Sequence, residues 1–193
     1  MNKNVSTGVE RRLSNHCHLN EKGKLGEIPT RSRRCKVESA QNATGVTWEG
    51  CAIRHYLNSE FLCKFSNQDQ ERILQVANRN LNNQWFDTLG GNITEDKVFL
   101  LSIEEVVNFF GDSGQLLKRN SRNEYWIDDK YNEERIAIFE AAPCMWWLRS
   151  PGYDSEGTVI VDEYGNLYMG GYRVNDDNCG VRPAIWVRTE ENS

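Results

Sequence analysis

The sequence predicts an α+β domain in which helices come first and a small, mostly antiparallel sheet comes last. Three observations carry this reading. The first half holds two capping patterns ahead of apolar residues at helical spacing, Ser66 to Asp69 and Ser102 to Glu105. The last third holds a hairpin pattern, Thr158–Val161 and Leu167–Met169 around Asp162-Glu163-Tyr164-Gly165-Asn166. Two short apolar stretches, Trp146 to Gly152 and Gly180 to Trp186, place Arg149 and Arg182 beside Trp146, Trp147 and Trp186, as expected of neighbouring buried strands.

Residues 1 to 45 are polar, with Lys3, Arg11, Arg12, Lys22, Lys24, Arg31, Arg33, Arg34 and Lys36 outnumbering the acids there. Such a segment buries too little apolar surface to offset the entropy of ordering, and we expect a basic, disordered tail ahead of one domain over 46–190. Thr47 is the expected N-cap of a helix through Trp48, Ala52, Ile53, Tyr56 and Leu57, stopped at Asn58. After a turn carrying Phe61, Leu62 and Phe65, Ser66 opens a helix burying Ile73, Leu74 and Ala77. From Asn78 to Asn92, asparagines and Gly90-Gly91 predict a long loop pinned by Trp85-Phe86. Val98 to Leu101 is a buried strand, and the Ser102 capping box opens a helix that Gly111 ends. Tyr131, Arg135, Ile136 and Phe139 suggest a further amphipathic helix before Pro143, followed by about five short strands.

The chain of 193 residues carries a net charge of -5 and 38% hydrophobic residues, and no run reaches the roughly 18 apolar residues of a membrane span. No apolar leader is present near Met1, so a cytoplasmic location is the default expectation. The six cysteines match neither a compact disulfide framework nor a zinc spacing. The basic tail has no aromatic-and-basic surface to accompany it in the body, and nucleic acid is not an expected partner.

No catalytic constellation stands out. His55 has no Ser-His-acid spacing around it, and His16-Cys17-His18 with Cys35 lacks a zinc pattern. Arg149 and Arg182 need buried acceptors, for which Asp96, Asp162 and backbone carbonyls are the candidates. The two neighbours Trp146 and Trp147 should point to opposite faces, with one turned away from the main core. Tyr153, Asp154, Tyr172 and Arg173 mix aromatic and charged groups on loops flanking these strands, as small-ligand and sugar sites do. Asn175-Asp176-Asp177-Asn178 gathers four oxygen-bearing side chains; a polar turn is favoured over a calcium site, because the EF-hand spacing is absent. We expect no cofactor. Cys144 and Cys179, each just ahead of a tryptophan-arginine stretch, are read as buried thiols.

A longer set of separated motifs runs through the chain. It comprises Thr47-Trp48-Glu49 with Arg54, Leu57-Asn58, Phe61 and Phe65-Ser66, then Thr94 with Asp96 to Ser102 and Glu105. It continues through Trp146 to Gly152, Gly165, Gly170, Val174 and Val181-Arg182-Pro183-Ala184. Together these resemble a bacterial family known as domain of unknown function six-two-seven-three, over about residues 46–188. Its closing strands are similar to C-type-lectin-like folds, including the formylglycine-generating enzymes, and that similarity implies a lectin-like fold here. Family members carry apolar strands ahead of the Thr-Trp-Glu segment, which residues 1–44 do not match; a start truncated relative to the family would imply a secreted or surface protein. Lys118 to Ala142 also lacks the family's Thr-x-Tyr-Ala-like stretch. The lectins' Glu-Pro-Asn and Trp-Asn-Asp calcium motifs and the enzymes' paired cysteines are missing.

The resulting expectation is a non-catalytic module that binds a glycan or a protein through Tyr153, Asp154, Tyr172, Arg173 and Asn175 to Asn178. Trp48, Arg54, Trp146, Trp147, Arg149, Arg182 and Trp186 form the framework. The alternatives are an oxidase-like enzyme using Cys144 and Cys179, or a purely structural domain.

Overall fold

The structure is a computed structural model that describes residues 9–13, 47–119, 125–174 and 179–188. In chain order it contains β1 (Val9–Leu13), α1 (Ala52–Tyr56), α2 (Asn67–Arg72), β2 (Ile73–Leu74), β3 (Val76–Asn78), β4 (Thr94–Asp96) and α3 (Ile103–Phe110). These are followed by β5 (Trp126–Ile127), α4 (Asn132–Arg135), β6 (Ala137–Phe139), β7 (Ala142–Cys144), β8 (Trp146–Pro151), β9 (Gly157–Val161), β10 (Leu167–Arg173) and β11 (Ala184–Arg188). Short helices and small antiparallel sheets make the class α+β, as the sequence predicts. Of the segment 1–45, Val9–Leu13 is described as a strand, paired antiparallel with β11 so that Val9 lies opposite Arg188 and Leu13 opposite Ala184. The rest of that segment lies outside the described residues.

The main sheet has the order β5-β10-β9-β8, and a second sheet has the order β1-β11-β2. Between them runs the extended segment 98–101, whose Val98, Phe99, Leu100 and Leu101 are all buried. Phe99 and Ala184 exchange backbone hydrogen bonds at 3.0 and 2.7 Å, and the Arg149 amide donates to the Leu101 carbonyl at 2.9 Å. This apolar run therefore stitches β11 to β8. The β9–β10 hairpin forms as its sequence pattern predicts, with Leu167 opposite Val161 and Tyr168 opposite Ile160. Trp146 is fully buried at the centre of the core; removing about 150–250 Å² of indole from water contributes about 4–6 kcal/mol as an upper bound.

Four expectations are corrected. Thr47 makes no side-chain cap, and Asn58 does not stop the first helix: α1 passes into a π-turn over Leu57–Phe61 and a 3-10 turn over Leu62–Lys64. The Asn58 side chain instead donates to the Val98 carbonyl at 2.7 Å and accepts from the Lys97 and Val98 amides. A residue spent on a distant segment is not available to end its own helix. Ser66 does cap α2, yet Ile73, Leu74 and Ala77 lie in β2 and β3, because pairing with β11 and β4 outweighs helical periodicity there. The helix expected through Phe139 ends at Arg135, and Ala137–Phe139 folds back as a hairpin onto β7 through a turn in which Glu140 and Ala141 both take positive φ. Lastly, Trp146 and Trp147 are both buried, since each face of β8 is covered and all six of its residues are buried.

Candidate functional site

The framework residues are held by buried polar groups. Asp96, at the end of β4, accepts from Trp48 Nε1 at 3.0 Å, Arg54 Nε at 2.6 Å, Asn78 Nδ2 at 3.0 Å and Thr94 Oγ1 at 2.7 Å. Burial pushes its carboxyl up, but these hydrogen bonds outweigh burial and hold it below the ordinary carboxylate range. Arg149 draws on neither Asp96 nor Asp162. Its guanidinium pairs with Glu105 and donates to the Leu100 carbonyl at 2.6 Å and to Asn80 Oδ1 at 3.2 Å. Asp162 is committed to the β9–β10 turn, accepting from the Tyr164 and Asn166 amides and from Asn166 Nδ2. Arg182 donates to the Arg135 carbonyl at 3.3 Å, and its guanidinium stands 4.8 Å from the Trp146 ring and 4.9 Å from Phe110. Two aromatic faces and a backbone carbonyl thus help to hold this cation. Trp186, half-buried on β11, lies opposite Leu74.

Around the far end of the main sheet the structure gathers a group of aromatic rings. Asn83, fully buried, donates from Nδ2 to the carbonyls of Pro151 at 2.8 Å and Met169 at 2.9 Å, and its Oδ1 accepts from the Trp85 amide. That anchorage delivers Phe86 to the sheet. Phe86 stacks on Tyr125 at 5.6 Å and meets Tyr153 edge-on at 5.1 Å. Tyr125 and Tyr153 are themselves 6.5 Å apart at 64°, so the three rings form one mutually contacting cluster. Relative exposures of 37% and 59% leave Tyr125 and Tyr153 open to solvent.

The ring group continues along β10. Tyr125 lies 6.3 Å from Tyr168, which stacks on Trp126 at 4.3 Å and touches Tyr172 at 5.4 Å. Tyr168 and Tyr172 are four residues apart, too far to meet along a regular strand. The register shifts between them, and Gly171 sits at φ 73°, so a bulge folds the strand and closes the gap. Arg119 completes the edge, its guanidinium about 5 Å from the rings of both Trp85 and Phe86.

Tyr153, Asp154, Tyr172 and Arg173 are brought to one end of the sheet. The Tyr153 amide donates to the Gly170 carbonyl at 2.7 Å, Asp154 Oδ1 accepts from the Glu156 amide at 2.9 Å, and Glu156 pairs with Arg173. Asn175 to Asn178 lie outside the described residues, and among the described residues no group of three or more His, Cys, Asp or Glu is placed to hold a metal ion. Sequence reasoning missed Phe86 as a site residue, although it singled out Trp85-Phe86 as a loop anchor. It missed Tyr125 and Trp126 altogether and read Tyr168 only as part of the Leu167–Met169 strand: β5 is two residues long and follows a polar stretch, which hides Trp126 and the preceding Tyr125 from any periodicity. Cys144 and Cys179 are half-buried on neighbouring segments joined by the Gly180 amide to Met145 carbonyl bond at 2.8 Å.

A shallow cleft of about 190 Å³ is lined by Trp126, Asp128, Asp162 and Asn166, and lies beside Asn132. Its carboxylates already serve local turns: Asp128 accepts from Asn132 Nδ2, and Asp162 closes the hairpin. Beneath it, Asp129 accepts from Ser113, Tyr131 and Arg135. Burial raises the Asp129 carboxyl and these partners more than reverse that, leaving it lowered. Burial likewise pulls the Arg135 guanidinium below its usual value, against the opposing pull of Asp129. This cleft is a structural knot. No helix among the described residues is long and apolar enough to cross a membrane.

No curated protein and no solved structure matches the chain. The family described as Domain of unknown function (DUF6273) matches residues 27–189, beginning ahead of the boundary near residue 46 that the motifs suggest. The chain belongs to the DUF6273 family.

Proposed function

We propose that this domain is a non-catalytic binding module whose ligand, a glycan or a protein surface, docks on the rings of Phe86, Tyr125 and Tyr153 and on the neighbouring Tyr168 and Tyr172. The observation that carries the reading is the exposed aromatic cluster: two tyrosines remain open to solvent while Phe86 packs against both. Aromatic side chains have few rotatable bonds, so such a patch binds with a small ordering cost. Asp154 and Arg173 supply polar groups near the rings in this reading, Asn175 to Asn178 remain proposed ligand contacts that lie outside the described residues, and no cofactor is assigned to it. A C-type-lectin-like arrangement belongs to the same proposal; the late antiparallel sheet with its buried Trp146 and the loops at one end of that sheet support it.

The test is a glycan and protein-ligand array probed with the full chain, with Tyr153→Ala and Tyr125→Ala, and with Tyr164→Ala as an exposed tyrosine on the hairpin turn. Specific signals that both Tyr153→Ala and Tyr125→Ala weaken and the turn variant leaves intact support the proposal. A signal indifferent to both tyrosines refutes it.

A further inference from the structure

We infer that a cleft between β3 and the first turn of α3 is a binding site for a free α-amino acid, held through both of its charged groups. The cleft measures about 250 Å³ and no ring of the aromatic cluster lines it, so the inference stands apart from the binding role proposed above. Ala77, Arg79 and Leu81 come to it from β3 and the chain just after it, Glu104 and Glu105 from α3, and Arg149 from β8. Two features carry the inference.

The first is a buried donor with capacity to spare. A guanidinium has five N–H bonds. Arg149 Nε gives one to Asn80 Oδ1, Nη1 gives two, to the Leu100 carbonyl and to Glu105, and Nη2 gives one, at 3.4 Å, to the Arg79 carbonyl. One Nη2 N–H is left without an acceptor among the described residues, on a side chain that is 3% exposed and lines the cleft. A buried cationic donor favours any acceptor that reaches it, and a carboxylate above all.

The second is the balance of charge. Arg149 and Glu105 neutralise each other. The other two charges lining the cleft are of opposite sign: Arg79 is exposed, with no ion pair among the described residues, and Glu104 accepts through Oε1 from the uncharged amide of Gln84 at 2.9 Å. A simple anion is drawn by Arg79 and repelled by Glu104, and a simple cation meets the reverse. A small molecule with a carboxylate and an ammonium on adjoining atoms answers both, its carboxylate toward Arg149 Nη2 and Arg79 and its ammonium toward Glu104. The exposed side chains of Ala77 and Leu81 offer apolar surface to an aliphatic side chain. The volume lies below the roughly 300–1,000 Å³ of sites for drug-sized ligands, in keeping with an occupant as small as one amino acid.

The experiment is isothermal titration calorimetry of the full chain with leucine as the probe, beside its methyl ester, which lacks the carboxylate, and N-acetyl-leucine, which lacks the ammonium. The expected result is saturable binding of leucine, with each blocked derivative weaker by about tenfold or more, the order expected from losing one charge-assisted contact. Arg79→Gln and Glu104→Gln each weaken leucine about tenfold while the thermal midpoint stays in place; Arg149 is left intact because it also holds the fold. Leucine and N-acetyl-leucine binding equally well overturns the two-charge reading, and equal binding of the methyl ester does the same. Leucine binding that neither Arg79→Gln nor Glu104→Gln alters places the ligand elsewhere and overturns the inference. So does the absence of binding by leucine and by every other standard amino acid.

Discussion

One carboxylate oxygen of Glu105, Oε2, accepts from both the Ser102 amide and the Arg149 guanidinium. The residue that closes the capping box of α3 is therefore also the counter-ion of the buried arginine on β8, joining the helix to the last third of the chain. The Arg149 side chain is 3% exposed and that of Glu105 is 23% exposed. Removing the cation strands a partly buried carboxylate and the acceptors at Leu100 and Asn80.

Arg149→Met should therefore cost about 3 kcal/mol, the low end for breaking a buried pair, because Glu105 keeps some contact with water. Glu105→Gln retains hydrogen-bonding capacity and should cost about 1 kcal/mol. Urea denaturation of the two variants measures both, and an Arg149→Met chain as stable as the original would dismiss the ion pair as a determinant of the fold.

Asp96 gives the stability a defined acid dependence. Its folded carboxyl is held below its unfolded value of about 3.9, so the stabilisation is fully present above that value and is lost as pH falls through the folded value. Stability should decline on acidification below about pH 4. Asp129 is lowered as well and contributes in the same direction, so Asp96→Asn should flatten only part of the slope. Denaturation midpoints from pH 2 to 7 for both chains decide this; parallel curves would exclude Asp96 as a source.

Asn83 holds the loop that delivers Phe86. Asn83→Ala leaves the carbonyls of Pro151 and Met169 without that donor in a buried place, at a cost of about 1–3 kcal/mol. Phe86 should loosen with it, so faster proteolysis within residues 79–92 is the expected companion effect, read by limited digestion and mass spectrometry.

Gly165 occupies the β9–β10 turn at φ 82°, and a Cβ there would lie 1.9 Å from the Asn132 carbonyl oxygen. Gly165→Ala combines backbone strain with a clash against another segment, so a loss of at least about 1–2 kcal/mol is expected in thermal unfolding. An unchanged midpoint would mean that the turn and α4 separate without penalty.

The Arg173–Glu156 pair should contribute almost nothing to folding. Both side chains are largely exposed, 72% and 64%, and a double-mutant cycle should return a coupling below about 1 kcal/mol.

The sequence by itself determined the local features whose cause is short-range. The Ser102–Glu105 box, the Gly111 stop and the β9–β10 hairpin rest on contacts between residues a few positions apart, and each forms as its pattern predicts. The burial of Val98 to Leu101 was equally legible, because a run without polar residues has nowhere else to go. Tertiary structure alone decided the rest. Ile73 and Leu74 have helical spacing, yet become a strand because β11 offers them an edge. Asn58 spends its side chain on a segment some forty residues away. Glu105 was legible as a cap but not as the partner of Arg149, since the sequence does not say which carboxylate the fold will carry to β8. The aromatic cluster is the same case: Phe86, Tyr125 and Tyr153 come from three separate loops, and only the packing of those loops around Asn83 and the β10 bulge puts their rings within 7 Å of one another.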